Sequence, residues 1–182
     1  MSKSGLSVSP KRRSITEPFE HDEAPLRGEL FSIEQLEQHA RELAHSHRLA
    51  LGRGRDRLLA RLDDNERVLI ETYHSLVEAV KDERSTPPAA EWLLDNFYII
   101  EEQIRMTRRH LPRSYSQELP RLASGPYAGS PRVHGLALEL ISHTDGGVDA
   151  TSIGAFIRAY QQIAPLKLGE LWAVAIMLRL AL

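Results

Sequence analysis

Apolar residues in this chain recur at three- and four-residue steps, and where the recurrence fails a glycine or a proline stands at the break. Residues three and four apart share one face of an α-helix, whereas a half-buried strand alternates at every second position. No stretch between turn signals shows the alternation of a strand. The sequence therefore predicts an all-α fold of about six helices in a bundle or array.

Ser32 reads as a helix N-cap, followed by Ile33, Leu36, Ala40, Leu43, His47 and Ala50 on one face, and Gly52 and Gly54 end that helix. A second helix starts near Asp63 or Asp64, whose carboxylates suit the positive end of the helix dipole, and runs to about Glu83. Its stripe is Leu69, Tyr73, Leu76 and Val80. Pro87 and Pro88 break the chain and begin a third helix, since proline costs little where first-turn N–H groups have no partner. Leu93, Phe97, Ile100, Ile104 and Leu111 line one side of it, and Trp92, Leu94, Tyr98 and Ile99 widen the apolar surface, which predicts a place central to the core. Leu111-Pro112 closes it. Pro112, Pro120, Gly125, Pro126, Gly129 and Pro131 then predict a long loop with one short helical turn. Three shorter helices follow, over about 132–143, about 150–163 with Asp149 as cap, and about 167 to the end.

The 182 residues suffice for one ordinary domain with a real core. Residues 1–30 mix Ser, Pro, Gly and both charge signs without a period and read as a disordered tail; 31–182 read as the helical domain. The absence of cysteine excludes a disulfide scaffold, a thiolate metal site and a cysteine nucleophile. A balance of 23 basic against 25 acidic residues lacks the strongly basic signature of a nucleic-acid binder, so nucleic acid is disfavoured as a partner. The basic start at Lys3, Lys11, Arg12 and Arg13 is followed by no apolar run, so no secretory signal is read and the N-terminus is expected in the cytoplasm.

The last dozen residues crowd Leu171, Trp172, Val174, Ile176, Met177, Leu178, Leu180 and Leu182 together, with no glycine cap, proline or polar tail after them. Leaving four such side chains without partners would forgo on the order of 10 kcal/mol, comparable with the stability of a whole domain. Residue 182 is accordingly expected to be a truncation point, or this surface to dock onto another chain; the remaining alternative is that a small six-helix core absorbs it all. The partner-docking residues proposed on this ground are Leu171, Trp172, Met177 and Leu180.

Other clusters favour plain structural readings. Gly52-Arg53-Gly54-Arg55-Asp56-Arg57 has the glycines and arginines that meet phosphates but lacks the Lys-Ser/Thr ending of a P-loop, and reads as a basic interhelical loop. Arg105, Arg108, Arg109, His110 and Arg113 suit a helix C-terminus on dipole grounds, with an anionic lipid surface as the second reading. His39, His45 and His47 lack the i, i+4 spacing of a zinc helix and read as surface histidines. Asp145, Gly146, Gly147 and Asp149 lack the ligand run of a calcium loop and read as a turn between helices. Glu91 with Asp95, or Glu101 with Glu102, have the residue types of acid–base pairs but equally suit the first half of a helix.

One long stretch is recognisable. Glu91-Trp92-Leu93-Leu94-Asp95-Asn96-Phe97-Tyr98-Ile99-Ile100-Glu101-Glu102-Gln103-Ile104-Arg105 resembles the start of the very large bacterial cyclic β-1,2-glucan synthases. Segments within 111–120, 131–146 and 165–182 agree in order and spacing, so the resemblance covers about residues 25–182. It implies a multidomain inner-membrane protein that uses UDP-glucose and a divalent metal to build a protein-linked β-1,2-glucan, trims it with a phosphorylase-like C-terminal domain and releases it as a ring. It also implies that this helical part lies on the cytoplasmic face, ahead of the membrane spans and the glycosyltransferase domain, with the rest of the polypeptide as its partner. The chain carries neither the Asp-x-Asp nucleotide-sugar metal site nor the Gln-x-x-Arg-Trp acceptor motif of a processive transferase core. No catalytic, cofactor-binding or metal residue is therefore assigned here, and the expected role is scaffolding or docking. The alternative is a stand-alone interaction module that self-associates through its apolar C-terminal helix.

Overall fold

The computed structural model describes residues 28–52, 57–82 and 84–182. Among these it forms seven helices and no strand: α1 (Ile33–Ser46), α2 (Leu58–Lys81), α3 (Pro88–His110), α4 (Arg113–Glu118), α5 (Arg132–Ser142), α6 (Ala150–Gln161) and α7 (Leu168–Ala181). The six expected helices are present, and α4 is the short turn expected between Pro112 and Pro131. The tail read over 1–30 lies, as far as residue 27, outside the described residues. From Gly28 onward the backbone is tied to the end of α5: the Gly28 N–H donates to the Ser142 carbonyl at 2.9 Å and the Phe31 N–H to the His143 carbonyl at 3.1 Å.

Ser32 caps α1 reciprocally, its hydroxyl accepting from the Gln35 N–H at 3.3 Å while the Gln35 amide oxygen accepts from the Ser32 N–H at 2.8 Å. The helix stops at Ser46, short of the expected Gly52. Beyond it the chain exchanges helical hydrogen bonds for cross-chain ones, with Ala123 N–H donating to the Arg48 carbonyl and Ala50 N–H to the Arg121 carbonyl, both at 2.8 Å. Asp149 caps α6 as expected, accepting from the Ser152 N–H at 2.7 Å. α2 begins at Leu58, ahead of Asp63 and Asp64.

The core gathers Leu36, Ala40 and Ala44 of α1, Leu136 and Leu140 of α5, Phe156 and Tyr160 of α6, and Ala173 and Met177 of α7. α1 packs on α6, α5 on α7, and α3 on both α2 and α7. The central helix is α5, nine of whose eleven residues are buried, and not α3 as its wide apolar surface predicted. α3 forms an antiparallel pair with α2, in which Tyr73 stacks on Phe97 at 4.4 Å between centroids and Arg108 bonds Glu66 and Asp63. That leaves Trp92, Tyr98 and Ile99 exposed. Width of an apolar surface shows what wants cover and not what provides it.

Three polar side chains ride inside on α5. Arg132 meets Glu170 of α7 in a two-pronged ion pair, Nε to Oε1 at 2.5 Å and a terminal nitrogen to Oε2 at 2.7 Å, with Arg132 6% and Glu170 0% exposed. The same arginine donates to the Pro165 carbonyl at 2.7 Å, and Glu170 accepts from the Lys167 N–H at 2.9 Å, so the buried charges are hydrogen-bonded beyond each other. His134 is buried with no partner for Nδ1, and burial, reinforced by the charge of Arg61, pushes its imidazole down to about 4. Glu139 sits among His39, Tyr127 and His143.

Replacing Arg132 by Met strands a buried carboxylate, so Arg132→Met should cost about 3–5 kcal/mol, while the double change Arg132→Met with Glu170→Met should recover most of that loss. Urea unfolding followed by circular dichroism reads both. The pH response of His134 has a definite sign. Because the unfolded chain takes up its proton near 6.5 and the folded chain only near 4, stability falls as pH drops through that window, by on the order of 3 kcal/mol. His134→Leu should flatten this part of the profile between pH 7 and pH 4; an unchanged slope assigns it to other groups.

Candidate docking groove

Between Leu168 and Ala181 only Glu170 and Arg179 carry charge, so α7 is apolar on every side and needs more cover than one core face supplies. Glu170, Ala173, Met177, Leu178 and Leu180 turn inward. Trp172 and Leu168 turn outward, 74% and 72% exposed, with Leu171 beside them. The docking set read from the sequence is thus divided. Met177 and Leu180 are buried in the protein's own core, on the side of α7 that packs against α5, and cannot meet a partner while it is folded. Leu171 and Trp172 remain available, and Leu168, missed in the sequence because it precedes the crowded run, joins them.

This outer face forms one wall of an apolar groove of about 650 Å³. Met106 and His110 at the end of α3, with Pro112 and Tyr115 at α4, make the opposite wall, and Trp172, Ala175, Ile176 and Arg179 lie along α7. The geometry is held by polar ties at each end. The Tyr115 hydroxyl donates to the Gly169 carbonyl, and Arg179 Nε donates to the Gln103 amide oxygen at 3.0 Å. Burial raises the Tyr115 phenol above its ordinary value, with the charge of Glu170 adding to it, so this tie stays protonated at neutral pH.

The other sequence clusters fall elsewhere. Residues 53–56 of the basic loop lie outside the described residues. Arg108 is engaged by α2, leaving Arg105 and Arg109 exposed. Asp145 and Gly146 hold left-handed backbone, with φ of 50° and 73°, in the turn between α5 and α6. Glu91, Asp95, Glu101 and Glu102 stand exposed along α3. The surface reading holds for His45 but not for its neighbours: half-buried His47 Nδ1 pairs with the Tyr160 hydroxyl at 3.0 Å, and His39 Nε2 with Glu139 at 2.8 Å. Burial lowers the His47 imidazole, favouring its neutral form. Among the described residues, His39, Glu139 and His143 bring potential metal-ligand atoms within 4.8 Å of one another.

Comparison with known proteins agrees with the resemblance read from the sequence. The chain is 37% identical over 159 residues to the cyclic beta-(1,2)-glucan synthase NdvB of Rhizobium meliloti (strain 1021), a match that takes in 86% of this chain. By sequence, this chain is homologous to a segment of a cyclic β-(1,2)-glucan synthase. It spans only about 6% of the length of NdvB, and no family model matches it. The wall of the groove formed by α7 lies within residues 165–182, the last of the stretches that carry the resemblance to the synthases. Among the described residues no helix of the segment is long and apolar enough to cross a membrane.

The two faces of α7 should respond differently to truncation. Trp172→Ala should leave the stability of the segment within about 0.5 kcal/mol, whereas Met177→Ala should cost about 2–5 kcal/mol. Equal losses in chemical denaturation would place Trp172 in the core and remove the groove wall.

Proposed function

We propose that this segment serves a cyclic β-(1,2)-glucan synthase as a non-catalytic docking element on the cytoplasmic face of the membrane. The UDP-glucose, the divalent metal and the transfer chemistry then belong to other parts of the larger polypeptide, and those parts supply what seats on the groove. The observation that carries the reading is the outward row of α7. An exposed indole and two leucines beside a preformed apolar groove have the form of an interface anchor and its pocket. Homology to a protein many times longer supports a partner within the same chain. The sequence supports the non-catalytic part, since neither transferase motif occurs in it.

An anionic lipid surface fits less well, because Arg108, one of the arginines that would meet it, is paired with Asp63 and Glu66.

Two measurements test the proposal. The purified segment incubated with UDP-glucose and Mg²⁺ or Mn²⁺ should incorporate no sugar, and clear transfer overturns the non-catalytic assignment. In the full-length synthase, Trp172→Asp should lower the yield of assembled, active protein several-fold although the isolated segment melts as before. Unchanged yield overturns docking through this face, and a concentration-dependent dimer of the segment that Trp172→Asp abolishes makes a second copy the occupant instead.

A further inference from the structure

We infer that His39, Glu139 and His143 form a binding site for one divalent transition-metal ion of the zinc class. The site lies where α1 meets the end of α5, shares no residue with the groove, and does not depend on the docking proposal.

His143 anchors the site. Its Nδ1 lies 2.7 Å from the Glu29 carbonyl oxygen, which can only accept, so Nδ1 carries the hydrogen. In the neutral ring Nε2 is then a bare lone pair, and it faces Glu139 Oε2 at 3.7 Å. A lone pair facing a carboxylate oxygen is relieved by a proton on Nε2 or by a metal ion between the two, and the third ligand favours the metal. His39 Nε2 reaches that same oxygen at 2.8 Å, so two imidazoles and one carboxylate converge on a single point. These are the ligand types zinc takes at about 2.0–2.2 Å, with tetrahedral neighbours about 3.3 Å apart. The two separations to Glu139, 2.8 and 3.7 Å, bracket that spacing, and all three ligand atoms lie within 4.8 Å of one another, so closure around an ion also draws the two imidazoles toward each other. Three protein ligands leave the fourth position for water.

The surroundings have the form of an outer shell that orients metal ligands. A metal-bound histidine usually donates its other N–H to a carbonyl or carboxylate, and a bound carboxylate is itself hydrogen-bonded. The Glu29 carbonyl does the first for His143, and Tyr127 lies near Glu139 and lowers its carboxyl. Phe31 stacks on the His143 ring at 3.9 Å and 4°, fixing its plane. Gly28 passes so close that a Cβ there would come within 2.6 Å of His143 Cε1. All three ligands are half-buried, which excludes most competing water and still lets an ion in. Binding displaces the hydrogen from His39 Nε2, which is released or reappears on Nδ1. The ion would staple α1 onto the end of α5.

The test uses the 182-residue chain stripped with a chelator and titrated with ZnCl₂. Calorimetry should give one saturable site per chain, the melting temperature should rise with zinc, and zinc absorption-edge spectroscopy should show only nitrogen and oxygen neighbours. His39→Gln keeps a donor for Glu139, and His143→Asn keeps one for the Glu29 carbonyl, so both variants should fold yet bind zinc at least about 100-fold more weakly, beyond the 10–100-fold typical of an outer-shell change. His45→Asn, altering an exposed neighbour, should leave binding intact. No saturable zinc uptake by the unaltered chain, or uptake that survives both ligand substitutions, overturns the proposal.

Discussion

The ion pair between Arg132 and Glu170 decides how the last helix lies. α7 is apolar on all sides, so the hydrophobic effect alone gives it little preference for one rotation about its axis over another. Glu170 breaks that degeneracy, because its charge can be buried only against Arg132 and the Lys167 N–H. With Glu170 turned inward, Ala173, Met177 and Leu180 follow at steps of three, four and three along the same face. Trp172, Ala175 and Arg179 are thereby sent to the groove. A buried pair of this kind adds little net stability over apolar packing, but here it specifies the register of a helix whose apolar pattern does not.

Arg132 reaches further than α7. Its guanidinium lies 5.9 Å from the Tyr160 ring centroid, and the Tyr160 hydroxyl meets His47 at the end of α1. Farther along α5, Glu139 holds His39 from the middle of α1, and past its end His143 holds the chain before α1 through the Glu29 carbonyl. One short helix thus fastens, through polar side chains, the elements before and after it in sequence. These contacts join residues about a hundred positions apart, so they form only once the chain has collapsed, and they select one arrangement among apolar packings of similar worth.

This distinction explains what was legible in the sequence. Helix starts at Ser32 and Asp149, the break at Pro87-Pro88 and the short turn after Pro112 are encoded locally, in side chains that bond backbone within three residues or in rings that forbid a conformation. The end of α1 is not local, because the competing partner of residues 48–50 is the segment 121–123. Nor is the fate of His39: spacing to His45 and His47 is irrelevant when its partners come from Glu139 and His143, which themselves lie i, i+4 on α5 and its first residue beyond. That Glu-x-x-x-His spacing is the local signal of the site, carried among apolar neighbours.

The same limit explains why α3 is not the central helix and why Met177 is not free to meet a partner. Periodicity reports how much apolar surface an element carries, but burial depends on which neighbours arrive, and α5 receives α7 while α3 receives α2 and one edge of α7. Apolar surface beyond what these neighbours cover stays outside, on Trp92 and Tyr98 of α3 and on Leu168 and Trp172 of α7. On α7 it adjoins a groove whose walls are tied by Tyr115 to Gly169 and by Arg179 to Gln103. Sliding α7 toward α3 would strain both of these hydrogen bonds, so they favour the open groove in the folded segment.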